Sequence, residues 1–225
     1  MQQPKYLGII CCLFLTFELV SNVTAGKLID IVSQPVSVTV LYFPITYIFS
    51  DIITEVYGYA KARAVLWIVL GCAALASLVY SLVVALPPSA FFQNDGAYSI
   101  VLGQVPQVVL GAWLAIFAGD IANNFVLAKM KVLTKGKYLW TRVIGSTIAG
   151  QLVNTAVFYL IALTGVMPMD KMFVAVMLGW GFKTGVEIVL SPLTVWVTNK
   201  LKMIEGIDVY DTDTDFSPFR FKLPF

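Results

Sequence analysis

The chain is built from long apolar blocks separated by short polar segments. Each block runs for about 20 residues, the length that an α-helix needs to cross a hydrocarbon core about 30 Å thick. The pattern predicts six membrane-spanning helices, over residues 6–24, 36–57, 62–86, 105–126, 142–163 and 173–198. We therefore expect an all-α integral membrane protein, a compact helical bundle with one transmembrane domain (residues 1–200) and a C-terminal tail (residues 201–225).

The composition excludes an ordinary soluble domain. Hydrophobic residues make up 59% of the 225 residues and charged residues only 12%, whereas soluble domains have about 45–50% and about 25%. The net charge of +2 does not indicate nucleic-acid binding, because the chain has no basic stripe with interleaved aromatic residues outside the spans. The expected surroundings are a lipid bilayer.

The positions of Lys and Arg predict the orientation, because positively charged loops stay in the cytoplasm. Twelve of the 15 Lys and Arg residues fall on the side of the N-terminus. The opposite loops hold Lys27 and Lys171, and Lys183 lies inside the last span. Both termini are therefore expected in the cytoplasm.

Polar residues inside the spans are the first candidates for function. A centred Asp, Lys or Arg costs about 2.5–3.5 kcal/mol on insertion scales, so such a group usually faces a partner or a wet cavity. In the first span, Glu18, Ser21 and Asn22 share one helix face through i+3 and i+4 spacing. Asn22 is a candidate ligand-binding residue, and Glu18 is either functional or an interhelical hydrogen-bonding group.

The second span carries two acidic residues one turn apart. Pro44 removes a backbone hydrogen bond and can kink the helix before Asp51, and Glu55 follows four residues later. Both acids are candidates for the binding site. The alternative is an interfacial pair that answers Lys61 and Arg63 on the cytoplasmic side.

The fourth and fifth spans supply amides and a carboxylate. Asp120, Asn123 and Asn124 lie within about one turn of the fourth span, and capping could explain Asn124 alone but not the group. Gln151 and Asn154 lie in the fifth span, either as site residues or as hydrogen bonds between helices. Two glycines of that span allow close helix approach, Gly145 and Gly150.

The sixth span contains Lys183 and, one turn later, Glu187. Both are far from either interface, so neither side chain can easily reach water. Their i, i+4 spacing predicts an ion pair. That pair is either a purely structural device or part of a cavity that touches the substrate or a coupling proton.

The missing chemistry narrows the function. The chain has no His, so His-based triads, the common zinc sites and His proton relays are absent. It has no nucleotide-binding P-loop, and its three Cys residues lack metal-ligand spacing. We expect no metal, no cofactor and no enzymatic activity. A carrier for a small polar molecule explains the polar spans better.

Several segments together resemble a known family. They are Phe43-Pro44, the stretch from Asp51 to Gly58, Ala62-Arg63, Ser21-Asn22, the stretch from Asp120 to Asn124, Gly150-Gln151 with Asn154-Thr155, Lys183 with Glu187 and Pro192, and the stretch from Glu205 to Thr212. This ordered set resembles the signature of the bacterial queuosine-precursor transporter family, also called the VUT or YhhQ-like family. The likeness covers nearly the whole chain.

The resemblance implies import of the 7-deazaguanine bases preQ0 and preQ1, which serve queuosine modification of tRNA. A carboxylate suits the adjacent N–H donors of such a base, and an amide or cation suits its carbonyl. One of four aromatic residues can stack on its face: Phe43, Tyr47, Phe158 or Trp180. Some family members carry Asp in the fifth span where this sequence has Asn154. The expected substrate-binding residues are Asn22, Phe43, Asp51, Glu55, Asp120, Asn124, Gln151, Asn154, Lys183 and Glu187.

Two other classes stay open on the sequence. One is a substrate-binding membrane subunit for a vitamin-like molecule, which depends on a separate ATP-driven module. The other is a membrane scaffold that transports nothing. The oligomeric state is also open, with a homo-oligomer as one alternative.

Overall fold

The apolar blocks fold into long helices joined by short connections. The computed structural model describes residues 4–24, 27–31, 34–103, 106–162 and 169–219. In chain order the elements are α1 (Leu7–Thr24), β1 (Leu28–Ile31), β2 (Gln34–Ser37), a 3-10 helix (Val38–Leu41), α2 (Pro44–Tyr57), α3 (Tyr59–Ala85), α4 (Asp95–Leu102), α5 (Pro106–Leu133), α6 (Leu139–Ala162) and α7 (Met169–Glu205).

The predicted fold class, an all-α membrane protein, is confirmed. Within the described ranges, five helices are long and apolar enough to cross a bilayer, namely α1, α3, α5, α6 and α7. Many large apolar side chains of α3 and α7 face outward, such as Leu75, Leu78 and Val189. Such a surface suits lipid, and the protein is a multi-pass membrane protein. The count of six spans and the cytoplasmic termini stay predictions.

The second predicted span has a different structure from the one expected. Its first residues form β2, which pairs antiparallel with β1, and the 3-10 helix follows. β-branched residues favour extended structure, and Val36 lies in β2, but Val38, Thr39 and Val40 lie in the 3-10 helix. Proline suits a first helical turn because it has no N–H to leave unpaired, so α2 begins at Pro44. With 14 residues, α2 is about 21 Å long.

The helix α2 lies inside the bundle and has two unlike faces. One face is apolar and packs with α1 and α3, through Ile48, Ile52, Ile53 and Val56. The other carries Tyr47, Ser50, Asp51, Thr54 and Glu55, and all five are buried. This polar face is turned toward α5, α6 and α7, as the contacts below show. The chain leaves α2 through Gly58, whose φ of 89° suits glycine.

The helices α5 and α6 form an antiparallel hairpin that packs very closely at two glycines. A Cβ atom on Gly119 would come within 2.6 Å of the Asn154 Cβ atom, and one on Gly150 within 2.6 Å of the Asn123 Cβ atom. A Cβ atom on either glycine would also lie 3.1 Å from the carbonyl oxygen of the other glycine. The expected close approach at Gly150 is confirmed.

Both ends of the chain lie on one side of the bundle, here named the terminal side, where α1 begins and α7 ends. The carboxylate of Glu205 accepts hydrogen bonds from the backbone N–H groups of Lys5 (3.0 Å) and Tyr6 (2.8 Å). It also accepts one from the Tyr57 hydroxyl at 2.8 Å. A carboxylate at the positive end of a helix is a stabilising arrangement, and this one ties α1 to α7.

The described part of the tail packs back on the bundle. The Asp211 carboxylate accepts a hydrogen bond from the Tyr59 N–H at 3.0 Å, at the start of α3. The Arg63 guanidinium donates to the carbonyl oxygens of Asp215 and Ser217. The Phe216 ring lies under the Lys129 ammonium, 4.1 Å from its nitrogen. Residues 207–219 therefore cover the ends of α3 and α5.

Candidate functional site

The polar face of α2 meets the amides of α5 at the centre of the bundle. Asn123 donates a 2.5 Å hydrogen bond from Nδ2 to Oδ1 of Asp51. Next to it, the side-chain oxygen of Asn124 accepts hydrogen bonds from Ser50 (2.9 Å) and Thr54 (2.8 Å). The residues at positions 50, 51 and 54 share a face because they are one turn apart. The structure thus brings together the polar residues predicted on the second and fourth spans.

A second set of polar contacts joins α6 to α7. Glu187 accepts hydrogen bonds from the Thr147 hydroxyl (2.7 Å) and from Nε2 of Gln151 (3.0 Å). Lys183 donates to the side-chain oxygen of Asn154 at 3.2 Å. The α6 residues lie at positions i, i+4 and i+7, so they form one stripe along that helix.

The predicted ion pair between Lys183 and Glu187 is wrong. The salt bridges among the described residues do not include it. Each side chain is bonded instead to uncharged groups of α6. The Lys183 ammonium also lies over the Phe43 ring, 5.2 Å from its centroid.

Four buried carboxyl groups lie within electrostatic range of the Tyr47 hydroxyl. They come from four different helices, and all are at most 2% exposed: Glu18, Asp51, Asp120 and Glu187. Each interacts electrostatically with Tyr47, which is fully buried. No salt bridge among the described residues reaches any of the four. The centre of the bundle is therefore strongly acidic.

The same centre holds polar atoms whose hydrogen-bonding capacity is unused within the described structure. They are Oδ2 of Asp51, Oδ2 of Asp120, Oδ1 of Asn123, Oε1 of Gln151, Nδ2 of Asn154 and the Tyr47 hydroxyl. A buried donor or acceptor without a partner costs about 1–3 kcal/mol, and such groups in native proteins call for an explanation. A polar ligand with both donors and acceptors would satisfy them.

Glu55 lies one turn from Asp51 but in a different environment, a network of ion pairs at the terminal side. Its Oε1 atom lies 2.6 Å from Arg142, 2.6 Å from Lys202 and 3.6 Å from Lys131. The interpretation that Glu55 answers Lys61 and Arg63 is wrong. Those two cations point elsewhere, Lys61 over the Tyr57 ring and Arg63 toward the tail.

The tail completes this network through Asp208. Its carboxylate lies 2.6 Å from the Lys131 nitrogen and 2.9 Å from that of Lys202. Partial burial by itself would raise the pKa of Asp208, but its bonds to the two ammonium groups outweigh burial and hold that pKa below its ordinary value. The network of Glu55, Lys131, Arg142, Lys202 and Asp208 joins α2, α5, α6, α7 and the tail.

The remaining predicted residues lie around the acidic centre. Asn22 is in the last turn of α1 and interacts with Glu18. The Phe43 ring packs on that of Tyr47, with centroids 5.9 Å apart. Asp120 interacts electrostatically with Glu18 and Glu187. Of the ten predicted residues, the structure separates only Glu55 from this centre, by placing it in the ion network.

The predicted set of ten left out three residues of the centre: Tyr47, Asn123 and Thr147. Tyr47 was predicted only as one of four aromatic residues that could stack on the base, although it lies four residues before Asp51 on the polar stripe of α2. The pattern of polar positions in the sequence did not indicate that Lys131 and Arg142 are partners of Glu55. Their contacts span 76 and 87 positions of the chain.

A bundle of apolar helices with a polar, acidic centre is the architecture of a membrane transporter, and the comparisons with known proteins agree. Residues 37–197 match the model of a family described as "Putative vitamin uptake transporter". The match covers most of the chain, so this protein belongs to that family. The family resemblance drawn from the sequence is confirmed, and the family is described as one of transporters, not enzymes.

A curated relative gives a more specific comparison. The chain is 26% identical over 153 residues to the "Probable queuosine precursor transporter" of Bacillus subtilis (strain 168). The matched region covers 67% of this chain and 66% of the relative. No solved structure matches the chain.

Proposed function

We propose that this protein imports 7-deazaguanine precursors of queuosine, such as preQ0 and preQ1, across the bacterial inner membrane. The acidic centre is the proposed binding site. One observation carries the proposal: donors and acceptors from three helices are buried there with unused hydrogen-bonding capacity. The printed name of the Bacillus subtilis relative gives the substrate class.

The chemistry of the centre suits a guanine-like edge. Such an edge presents adjacent N–H donors, which a carboxylate such as that of Asp51 accepts, beside a carbonyl oxygen, which an amide such as that of Asn154 satisfies. Phe43 and Tyr47 supply aromatic surfaces next to these groups, and a flat base stacks well on such surfaces. The aminomethyl cation of preQ1 would meet a further carboxylate, Asp120 or Glu187.

The ion network at the terminal side is the proposed inner gate. It closes the path between the acidic centre and the side on which the cytoplasm is expected, because it joins four helices and the tail around Glu55. Release of the base then requires Lys202 to separate from Glu55, and Asp208 to separate from Lys131 and Lys202. Lys202 and Asp208 are the more exposed members of the network.

The proposal is tested by queuosine formation in cells. The host cannot synthesise the precursors and lacks its own importer, and it receives preQ0 or preQ1 in the medium. Expression of this protein should restore queuosine in tRNA at base concentrations that leave the empty host without it. An expressed, membrane-inserted protein that restores no queuosine with either base would contradict the proposal.

The second candidate is a substrate-binding subunit that needs a separate ATP-driven module. The description of the family as a vitamin uptake transporter is compatible with this function. Purified protein in liposomes separates the two. Uptake of the base without any other protein or ATP supports the carrier, and binding without uptake supports the subunit.

A further inference from the structure

Glu18 is a buried acid whose charge nothing in the described structure balances. It lies on α1 and is 1% exposed. Asn22 is close enough to interact with its carboxyl group, but neither carboxylate oxygen has a hydrogen bond of ordinary distance and angle from the described residues. A structural acid in such a place would be expected to have a partner.

Two groups of neighbouring helices interact electrostatically with Glu18, Tyr47 of α2 and Asp120 of α5. Two further acids, Asp51 of α2 and Glu187 of α7, interact with the same tyrosine. The nearby cation of α7, Lys183, is bonded to Asn154 and lies over the Phe43 ring. From α3, Tyr80 lies beside the residues that follow Glu18 on α1, at Leu19 and Val20.

Tyr47 provides independent support for the binding of a proton or a polar ligand at this acidic centre. Its hydroxyl is fully buried and has no hydrogen-bond partner among the described residues, although four carboxyl groups interact with it electrostatically. A buried phenol normally donates a hydrogen bond to an acceptor. The unused hydrogen-bonding capacity of the hydroxyl suits a centre in which protonation and hydrogen bonding change during a transport cycle.

Ionisation of all four acids would place four negative charges in a desolvated space, which is prohibitive without counter-charges. A proton neutralises a carboxylate by forming an O–H bond, which needs no set of coordinating side chains. Neighbouring carboxylates in a dry site typically share protons for the same reason.

We propose that Glu18 carries a proton through each transport cycle, so that import of the base is coupled to inward proton movement. This inference rests on the proposed function. The Glu18 carboxylate accepts one proton from water on the outer side and becomes a neutral acid. After the change of access the O–H bond breaks, and the proton leaves to the cytoplasmic side while the carboxylate is restored.

Two assays on the purified protein in liposomes test the inference. Counterflow exchanges labelled preQ0 for unlabelled preQ0 at equal pH on both sides, and it needs a working site but no driving force. Concentrative uptake is then measured with an acidic outside and a neutral inside. The wild type should perform counterflow and should accumulate preQ0 severalfold above its level without the pH gradient.

Glu18→Gln should separate the two assays, because it keeps the shape of the side chain and cannot release a proton. Its counterflow should remain measurable, with any weaker binding of the base seen as a higher KM, whereas the pH gradient should no longer drive accumulation. Glu18→Asp, which can still titrate, should keep gradient-driven uptake with a shifted dependence on pH. If Glu18→Gln does not fold, Glu18→Asp and the wild-type gradient response decide the question.

Three results would overturn the coupling. They are gradient-driven accumulation by Glu18→Gln equal to that of the wild type, a wild type that ignores the pH gradient, and a wild type that responds to a sodium gradient instead. A wild type that fails even in counterflow contradicts the proposed function itself. The two failures are therefore distinguishable.

Discussion

At the scale of single residues, neighbouring acids on one helix have different surroundings. Asp51 meets an amide of α5, whereas Glu55, one turn later, is held by three cations. The spacing of the two acids was visible in the sequence, but the helices that supply their partners are folded onto α2 from more than 70 positions away. Residue type could therefore predict that both acids matter, but not which one faces the ligand.

The separate partners of Lys183 and Glu187 predict additive mutations. In Lys183→Met, Glu187→Leu and the double variant, the changes in the free energy of unfolding should add within about 0.5 kcal/mol, as for groups that share no partner. A direct ion pair would instead give a coupling energy of about 1 kcal/mol or more. Thermal unfolding of the three purified variants in detergent measures this coupling energy. Strong coupling would contradict the separate partners of Lys183 and Glu187.

At the scale of elements, the long helices were predictable and α2 was only partly so. Runs of about 20 apolar residues have few alternatives in a bilayer, and α1, α3, α5, α6 and α7 follow from them. Hydropathy treated residues 36–57 as one more span. It does not distinguish an apolar helix that faces lipid from a short helix buried in protein and preceded by a β-hairpin.

The close crossing of α5 and α6 predicts that one added methyl group at position 150 destabilises the protein strongly. In Gly150→Ala the new Cβ atom would meet the Asn123 Cβ atom at 2.6 Å and the Gly119 carbonyl oxygen at 3.1 Å. Such overpacking should destabilise the protein by about 1–3 kcal/mol and displace Asn123, which bonds Asp51.

The matched control for this variant is Gly71→Ala in α3, where a Cβ atom would meet nothing within 4 Å. Its free energy of unfolding should stay within about 0.5 kcal/mol of the wild-type value, as for other substitutions away from packed features. Equal unfolding temperatures for the two variants would contradict the close packing of α5 on α6.

At the scale of the whole molecule, the terminal side is fastened and the centre is polar. The ion network joins α2, α5, α6, α7 and the tail, and Glu205 fastens the start of α1 to the end of α7. The sequence predicted a tail but not its docking. The contacts of Asp211, Asp215 and Ser217 with α3 depend on the folded chain.

The network predicts that Glu55 matters for stability. Glu55→Gln would leave Arg142 fully buried, and Lys131 almost so, without the carboxylate they share. Loss of one partner from a buried pair typically destabilises by about 3–5 kcal/mol. We expect a large drop in the unfolding temperature and in folded yield. An unfolding temperature close to that of the wild type would show that the network does not hold the terminal side together.

The orientation is testable with reporter fusions. Those after Lys135 and after Lys202 should report the cytoplasm and one near Asp95 should report the outside, since the cations cluster on the terminal side. The contact of Glu205 with Lys5 and Tyr6 requires the two ends to share a side. An external signal after Lys135 would contradict the topology.

The most direct test of the central claim is equilibrium binding of labelled preQ0 to purified protein. Asp51→Asn keeps the shape of the side chain and an acceptor for Asn123, but it removes the charge that would meet the N–H edge of the base. Its affinity should fall at least tenfold, about 1.4 kcal/mol, with thermal stability near that of the wild type. The control Asp95→Asn, in α4 and away from the acidic centre, should bind like the wild type. Equal affinity of wild type and Asp51→Asn, with both folded, would contradict the placement of the substrate at the acidic centre.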